Sequence, residues 1–241
     1  MPQWTLVDTH CHIDLYPSPK TVIAEAESNG IYTVAMTNAP SVSAHTFSLT
    51  EGCRFVQAAV GLHPQLVQSH GREIEKFGIF LKDTRFVGEI GLDYTTGDQN
   101  EKNLQRDVFA RILQQCASCG GKILSVHSRR AATDVIAAIG GDYPGVVILH
   151  WFSGSARELE RALDFGMYFS VNPSMVRSKK GQSLVAIMPR KCVLTESDGP
   201  FTRIEGRPAR PSDVSEVVSW LSDSWKVSAE EVGGIISANM E

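Results

Sequence analysis

The stretch WTLVDTHCHIDLY sets two histidines one residue apart at the end of an apolar run. Leu6 and Val7 read as a buried strand, and alternate residues of a strand project to the same side. His10 and His12 therefore point together and can share one metal ion, imidazole being the commonest metal-ligating side chain. Apolar runs that finish in imidazole or carboxylate recur down the chain. His63 ends one, Glu89 and Asp93 another, His127 and Arg129 a third, His150 a fourth, and Glu196 with Asp198 the last. Five of the seven histidines fall at these ends, and His45 and His70 are expected on the surface.

Together these side chains fit a two-metal hydrolytic centre. His10, His12 and Asp198 are expected to hold one ion and His127 and His150 the second, with Glu89 as the bridging carboxylate. Two cations roughly 3.5–4 Å apart activate a water and stabilise both the attacking and the leaving oxygen. Asp198 is also a candidate to take the proton of that water, so Glu89 and Asp198 carry the catalytic roles. His63 and Asp93 fit as orienting or substrate-contacting groups. Glu196 shares the side of Asp198 and reads as either an orienting group or a further ligand. Arg129, two residues past His127, is expected on the same strand side, where a guanidinium can grip a phosphate bidentately.

Such residues meet only if the elements that carry them converge. Eight runs rich in Val, Ile and Phe read as strands: 4–12, 32–38, 54–64, 85–94, 122–129, 146–154, 166–173 and 191–200. Between them lie amphipathic stretches such as KTVIAEAESNG, NLQRDVFARILQQCASCGG and ARELERALDFG, several closed by the glycine that caps helices. Alternating strand and helix implies a parallel sheet with helical crossovers. Eight such units in 241 residues match an α/β chain folded as one (β/α)8 TIM barrel over residues 1–241, whose active site forms at the carboxyl ends of the strands. An open doubly wound sheet is the structural alternative.

The bulk composition narrows the function. With 42% hydrophobic and 21% charged residues the chain is ordinary for a globular protein. No apolar run reaches bilayer length, and Met1-Pro2-Gln3-Trp4 lacks the features of a signal peptide, so a cytoplasmic, monomeric protein with no membrane partner is expected. Glu241 directly follows a helical pattern, and a few further residues are expected after it. A formal charge of −4 excludes binding of nucleic acid through bulk positive charge. A phosphate-bearing substrate then needs local cations. Arg177, Lys179 and Lys180 after the seventh run, and Arg203, Arg207 and Arg210 after the eighth, predict a positive rim. Trp151 and Phe152, just past His150, offer rings on which a base can stack. Five scattered cysteines argue against a disulfide framework. The lone CxxC of Cys116 and Cys119 sits in a helical pattern and reads as buried small hydrophobes.

The stretches DTHCHID (8–14), VGLHP (60–64), GEIGLDY (88–94), VHSR (126–129), HWFSG (150–154) and ESDGP (196–200), in this order, resemble the TatD family of metal-dependent deoxyribonucleases, within the amidohydrolase-like barrels. The resemblance implies divalent-metal-dependent hydrolysis of DNA phosphodiesters, often 3′ to 5′ on single strands. It also implies ligation by His10, His12, Glu89, His127, His150 and Asp198. The chain is similar, too, to the TatD-like members of bacterial antiphage Qat cassettes, which implies antiviral defence with protein partners, as against a role in DNA repair. Three departures bear on substrate scope: Trp151 stands where the family commonly has Cys, Ser197 where Thr is usual, and PFTRIEGRPARPSD lacks the Asn-Glu-Pro that often follows. Four imidazoles suit zinc, manganese or nickel better than magnesium, whereas the family is usually magnesium-dependent. Two divalent ions are expected, Mg2+ or Mn2+ for turnover, with Zn2+ bound on purification. Two other functions fit the same fold: a deaminase or cyclic-amide hydrolase acting on a small molecule, and a partner-dependent, non-catalytic subunit. The basic loops and the TatD-like motifs weigh against the first, the intact ligand set against lost chemistry in the second.

Overall fold

The computed structural model describes residues 6–241. Trp4 and Thr5 of the first run, and the N-terminal stretch Met1-Pro2-Gln3-Trp4, lie outside the described residues. Eight strands form in chain order: β1 Leu6–Cys11, β2 Ile31–Ala35, β3 Val56–Val60, β4 Phe86–Gly91, β5 Ile123–His127, β6 Val146–His150, β7 Tyr168–Val171 and β8 Val193–Thr195. They make one sheet in the order β1 to β8, with parallel pairing at β1–β2, β3–β4, β4–β5, β5–β6 and β7–β8. Parallel neighbours need a long crossover, here helical, between the end of one strand and the start of the next. β8 returns to β1: Asp198 N donates to His10 O at 2.9 Å, Thr9 Oγ1 donates to Thr195 O at 3.1 Å, and Thr195 Oγ1 donates to Val7 O. The connectivity is that of a (β/α)8 TIM barrel. The open-sheet alternative falls with the β8–β1 bonds.

Each predicted run contains a strand, but the ladder is shorter than the run. The run at 191–200 is strand only over Val193–Thr195, and that at 32–38 only over Ile31–Ala35. Most of the missing residues in these two runs lie past the carboxyl end of the ladder. β4 is buried along its whole length, which is why it reads as a continuous apolar run and not as an alternating one.

The chain divides into two compact units. The first comprises the chain up to Ala35, Ser48–Gln57 and Phe169–Glu241. Its helix Pro19–Ser28 buries Val22, Ile23 and Ala26 in a core with Cys11, Ile13 and Ile31. After β8 a short antiparallel hairpin pairs Arg203–Ile204 with Arg207–Pro208. Helices Val214–Trp225 and Ala229–Met240 follow.

The second unit comprises Met36–Phe47 and Ala58–Tyr168. Its helix Gln99–Cys119 starts at Asp98, whose carboxylate accepts from Asn100 N, and ends at Gly120 with φ 63°. It buries Gln105, Val108, Phe109, Ile112, Leu113 and Cys116, the three-and-four spacing of one helical face. Cys116 is core, and burial pushes its thiol up to about 12. Cys119 is exposed, so only the first cysteine of the CxxC fits the expectation of a buried pair. Among the described residues no helix is long and apolar enough to cross a membrane.

Candidate metal centre

In the first unit β1 and β8 bring three predicted ligands together. His10 Nε2 and His12 Nε2 stand 3.1 Å apart. Asp198 Oδ1 lies 3.8 Å from the first and 3.7 Å from the second. All three residues are buried. β1 carries one extra residue against β2 between Asp8 and Cys11, the kind of bulge that re-aims side chains. Asp198 itself has φ 47°, a left-handed conformation that Asp adopts more readily than most residues.

The loop behind Asp198 is tied to β1. Ser197 N donates to Asp8 Oδ1 at 2.8 Å and Ser197 Oγ to Asp8 Oδ2 at 2.6 Å. Burial pushes the Asp8 carboxyl up to about 7, against the opposing pull of the Ser197 and His10 hydrogen bonds. Gly199 is required here: a Cβ would stand 1.9 Å from Tyr16 Oη and 2.3 Å from Ala209 O. Glu196 turns inward, accepting from Ser170 Oγ and, at 2.9 Å, from Asn172 Nδ2. Those hydroxyl and amide donors fix the direction of its carboxylate. Asp8, Ser170 and Asn172 were not among the residues the sequence pointed to, although Asn172 ends β7 as the other site residues end theirs.

In the second unit β4, β5 and β6 converge on Glu89. Its Oε1 lies 2.6 Å from His127 Nδ1, 3.0 Å from His150 Nε2 and 3.4 Å from His63 Nε2. His150 Nε2 is 3.5 Å from His127 Nδ1. β4, too, carries an extra residue against β5, between Val87 and Ile90. Gly91, with φ 133°, lets β4 run against β5, where a Cβ would meet His127 O at 2.1 Å. Asp93 Oδ2 sits 2.9 Å from His127 Nε2. It also accepts from Gln65 Nε2, and its other oxygen from Thr95 N and Oγ1. Burial works against the Asp93 charge, but the hydrogen bonds from His127 and Thr95 outweigh it and hold the carboxyl well below the usual range. Burial likewise disfavours the His127 imidazolium, yet Asp93 and Glu89 outweigh burial and raise its pKa.

Both donor sets fit a divalent cation. Donor atoms about 2.0–2.2 Å from one ion stand roughly as far apart as Glu89 Oε1, His127 Nδ1 and His150 Nε2 do here. The Asp93–His127 pair has the form of the carboxylate that fixes a ligating imidazole through its second nitrogen. His63, Glu89 and His127 also offer atoms within 4.8 Å of one another. His63 Nδ1, however, accepts from Gln65 N at 3.2 Å. In a neutral ring the proton is then on Nε2, facing Glu89, as suits a donor better than a ligand.

Other predicted residues sit differently. β5 ends at His127 and Arg129 lies in the turn beyond it, so strand alternation does not set its direction; its side chain is exposed. Phe152 is 1% exposed and belongs to the core, whereas Trp151, with φ 39°, is 37% exposed. Half of the predicted positive rim is neutralised by carboxylates. Arg177 pairs with Glu216, Arg207 with Asp213 and Arg210 with Glu25, while Arg203 donates to Gly206 O. These arginines hold their loops in shape. His45 is exposed and His70 half-buried, as expected of residues outside the site.

Imidazoles and carboxylates at the carboxyl ends of (β/α)8 strands define a metal-dependent hydrolase. The family model for TatD related DNase matches residues 7–241, and the chain belongs to that family. It is 28% identical to the human deoxyribonuclease TATDN3, over 97% of this chain and 92% of that protein. It is 27% identical to the Escherichia coli metal-dependent hydrolase YjjV, over 97% and 95%. The crystal structure of YjjV superposes with a TM-score of 0.87, covering 98% of this chain and 96% of that one. A TatD-family hydrolase of Entamoeba histolytica shares the fold, with a TM-score of 0.82 at 15% identity over 100% and 98% of the two chains.

Proposed function

We propose that this chain hydrolyses DNA phosphodiester bonds, working 3′ to 5′ on single strands. The observation that carries the reading is the convergence of His127, His150 and Glu89 on one point, with His10, His12 and Asp198 as a second set, in a chain of a DNase family. His10, His12 and Asp198 would hold one divalent ion, and His127, His150 and Glu89 a second. When bound, the pair supplies an activated water and compensates charge on the attacking and leaving oxygens. Asp198 would accept the proton of the attacking water. Asp93 keeps the His127 Nε2 proton and leaves Nδ1 for ligation. His63 donates from Nε2 to Glu89 or to a phosphate oxygen. Glu196, held by Ser170 and Asn172, steadies the turn that bears Asp198. Arg129 and Trp151, both exposed, are the groups for a phosphate and a base. Mg2+ or Mn2+ supports turnover, with Zn2+ acquired on purification. The chain acts as a single domain in the cytoplasm, in DNA repair or in antiphage defence; the latter setting brings protein partners.

The test is incubation of purified protein with end-labelled single-stranded, double-stranded and abasic DNA, with Mg2+ or Mn2+. Stepwise shortening of single strands is expected, and loss of cleavage in both His127→Ala and Asp198→Asn. Turnover of a nucleobase amide with no DNA cleavage would overturn the reading in favour of a small-molecule amidohydrolase. Inertness toward both, with stable binding of another protein, would favour a partner-dependent subunit.

A further inference from the structure

Phe201 stands three residues past Asp198 in the first unit, and nothing above gives it a task. Its side chain is 58% exposed. Its ring meets that of His12 edge-on, with centroids 4.9 Å apart and planes at 82°. A single exposed apolar side chain is ordinary on a protein surface; what singles this one out is where and how it is held. Phe201 N and Thr202 N both donate to Asp198 O, at 2.9 and 3.1 Å. Thr202 Oγ1 donates to Ser197 O, and Ala209 N donates to Thr202 O at 3.0 Å. The loop is thus fixed to the turn that carries a candidate ligand, and the ring is fixed against a second one. A rigid aromatic with most of its surface in water, one imidazole away from where a phosphate would be bound, matches a stacking platform for a base.

We propose that Phe201 is a specificity residue on which the nucleobase attached to the scissile phosphate stacks. The proposal rests on the DNA-hydrolysing reading above. Phe201 packs on His12, so a phosphate held at the His10–His12–Asp198 group would lie beside its ring. Stacking favours any base, because every base has a π-face, so the platform distinguishes a nucleotide from an abasic site and not one base from another.

The test compares wild type, Phe201→Ala and Phe201→Tyr on two single-stranded oligonucleotides of equal length, one with a normal 3′-terminal nucleotide and one with a 3′-terminal abasic residue. Phe201→Ala is expected to raise KM for the normal strand roughly ten-fold or more, with kcat little changed and no effect on the abasic strand. Phe201→Tyr restores the wild-type KM. Equal losses on both strands, or a fall confined to kcat, would mean that Phe201 only positions His12, and would overturn the proposal. A second readout needs no turnover: a strand ending in 3′-terminal 2-aminopurine through a non-hydrolysable methylene phosphonate linkage, mixed with protein and Mg2+. Quenching by wild type and Phe201→Tyr but not by Phe201→Ala supports stacking even if no strand is cleaved, in which case the hydrolytic reading alone fails. Equal quenching by all three overturns the stacking proposal.

Discussion

His127 stands between two carboxylates, and its two nitrogens have different tasks. Asp93, held ionised by Thr95 and His127, fixes the ring through Nε2, so that Nδ1 faces Glu89 and His150. Asp93→Asn can present its amide nitrogen or oxygen to that ring and so no longer selects the tautomer. A loss of about 10–100-fold in metal affinity is expected, measured by titrating apoprotein with Mn2+ against a chelating indicator; unchanged affinity would show that Asp93 does not orient the ligand. The imidazoles and acids of this site were legible from residue type alone, because apolar runs that end in charge have few structural reasons to do so. Side-chain direction was less legible. Alternation paired His10 with His12, although β1 carries an extra residue between Asp8 and Cys11, where His10 lies, but it failed for Arg129 because β5 stops at His127. No pattern pointed to Asp8 or Gln65, whose tasks appear only once distant strand ends are neighbours.

At the scale of elements, the loops after the strands make the site and the helices hold those loops. Helix Ala156–Asp164, which follows β6 and its His150, begins with a capping box: Ser155 Oγ accepts from Glu158 N, and the Glu158 carboxylate accepts from Ser155 N at 2.7 Å and from Thr133 Oγ1 at 2.6 Å. Burial opposes the Glu158 charge, but the Ser155 and Thr133 hydrogen bonds outweigh it and lower its pKa. A carboxylate whose folded pKa is depressed stabilises the fold at pH values above its unfolded pKa, about 4.3, and that contribution is lost as pH falls through the folded value. Ser155→Ala is expected to cost about 1 kcal/mol at neutral pH. Glu158→Gln should be less stable than wild type at pH 7, with the gap closing below about pH 4, read as urea midpoints across that range. A gap that is constant or widens in acid contradicts the assignment. The helix was readable in ARELERALDFG, as was the face of Gln99–Cys119, whereas the Ser155 cap shows only in the structure. The basic loops misled because sequence gives a count of arginines and not their partners. Glu25, Asp213 and Glu216, which neutralise three of them, come from helices elsewhere in the first unit.

For the whole molecule, the regular succession of apolar run and amphipathic helix was enough to specify the barrel's connectivity, since each crossover returns the chain to the neighbouring strand and β8 bonds back to β1. The same regularity explains why the candidate ligands, from position 10 to position 198, each lie near or just past the carboxyl end of a strand. In a chain of net charge −4 with Arg177, Arg207 and Arg210 paired to carboxylates, bound cations would add to what Arg129 offers a polyanion. The account stands on the metal centre. Anomalous diffraction from crystals of Mn2+-loaded protein tests it most directly. Two peaks are predicted, one ligated by His10, His12 and Asp198, the other by His127, His150 and Glu89. A single peak remote from these residues, or none at saturating Mn2+, would contradict it.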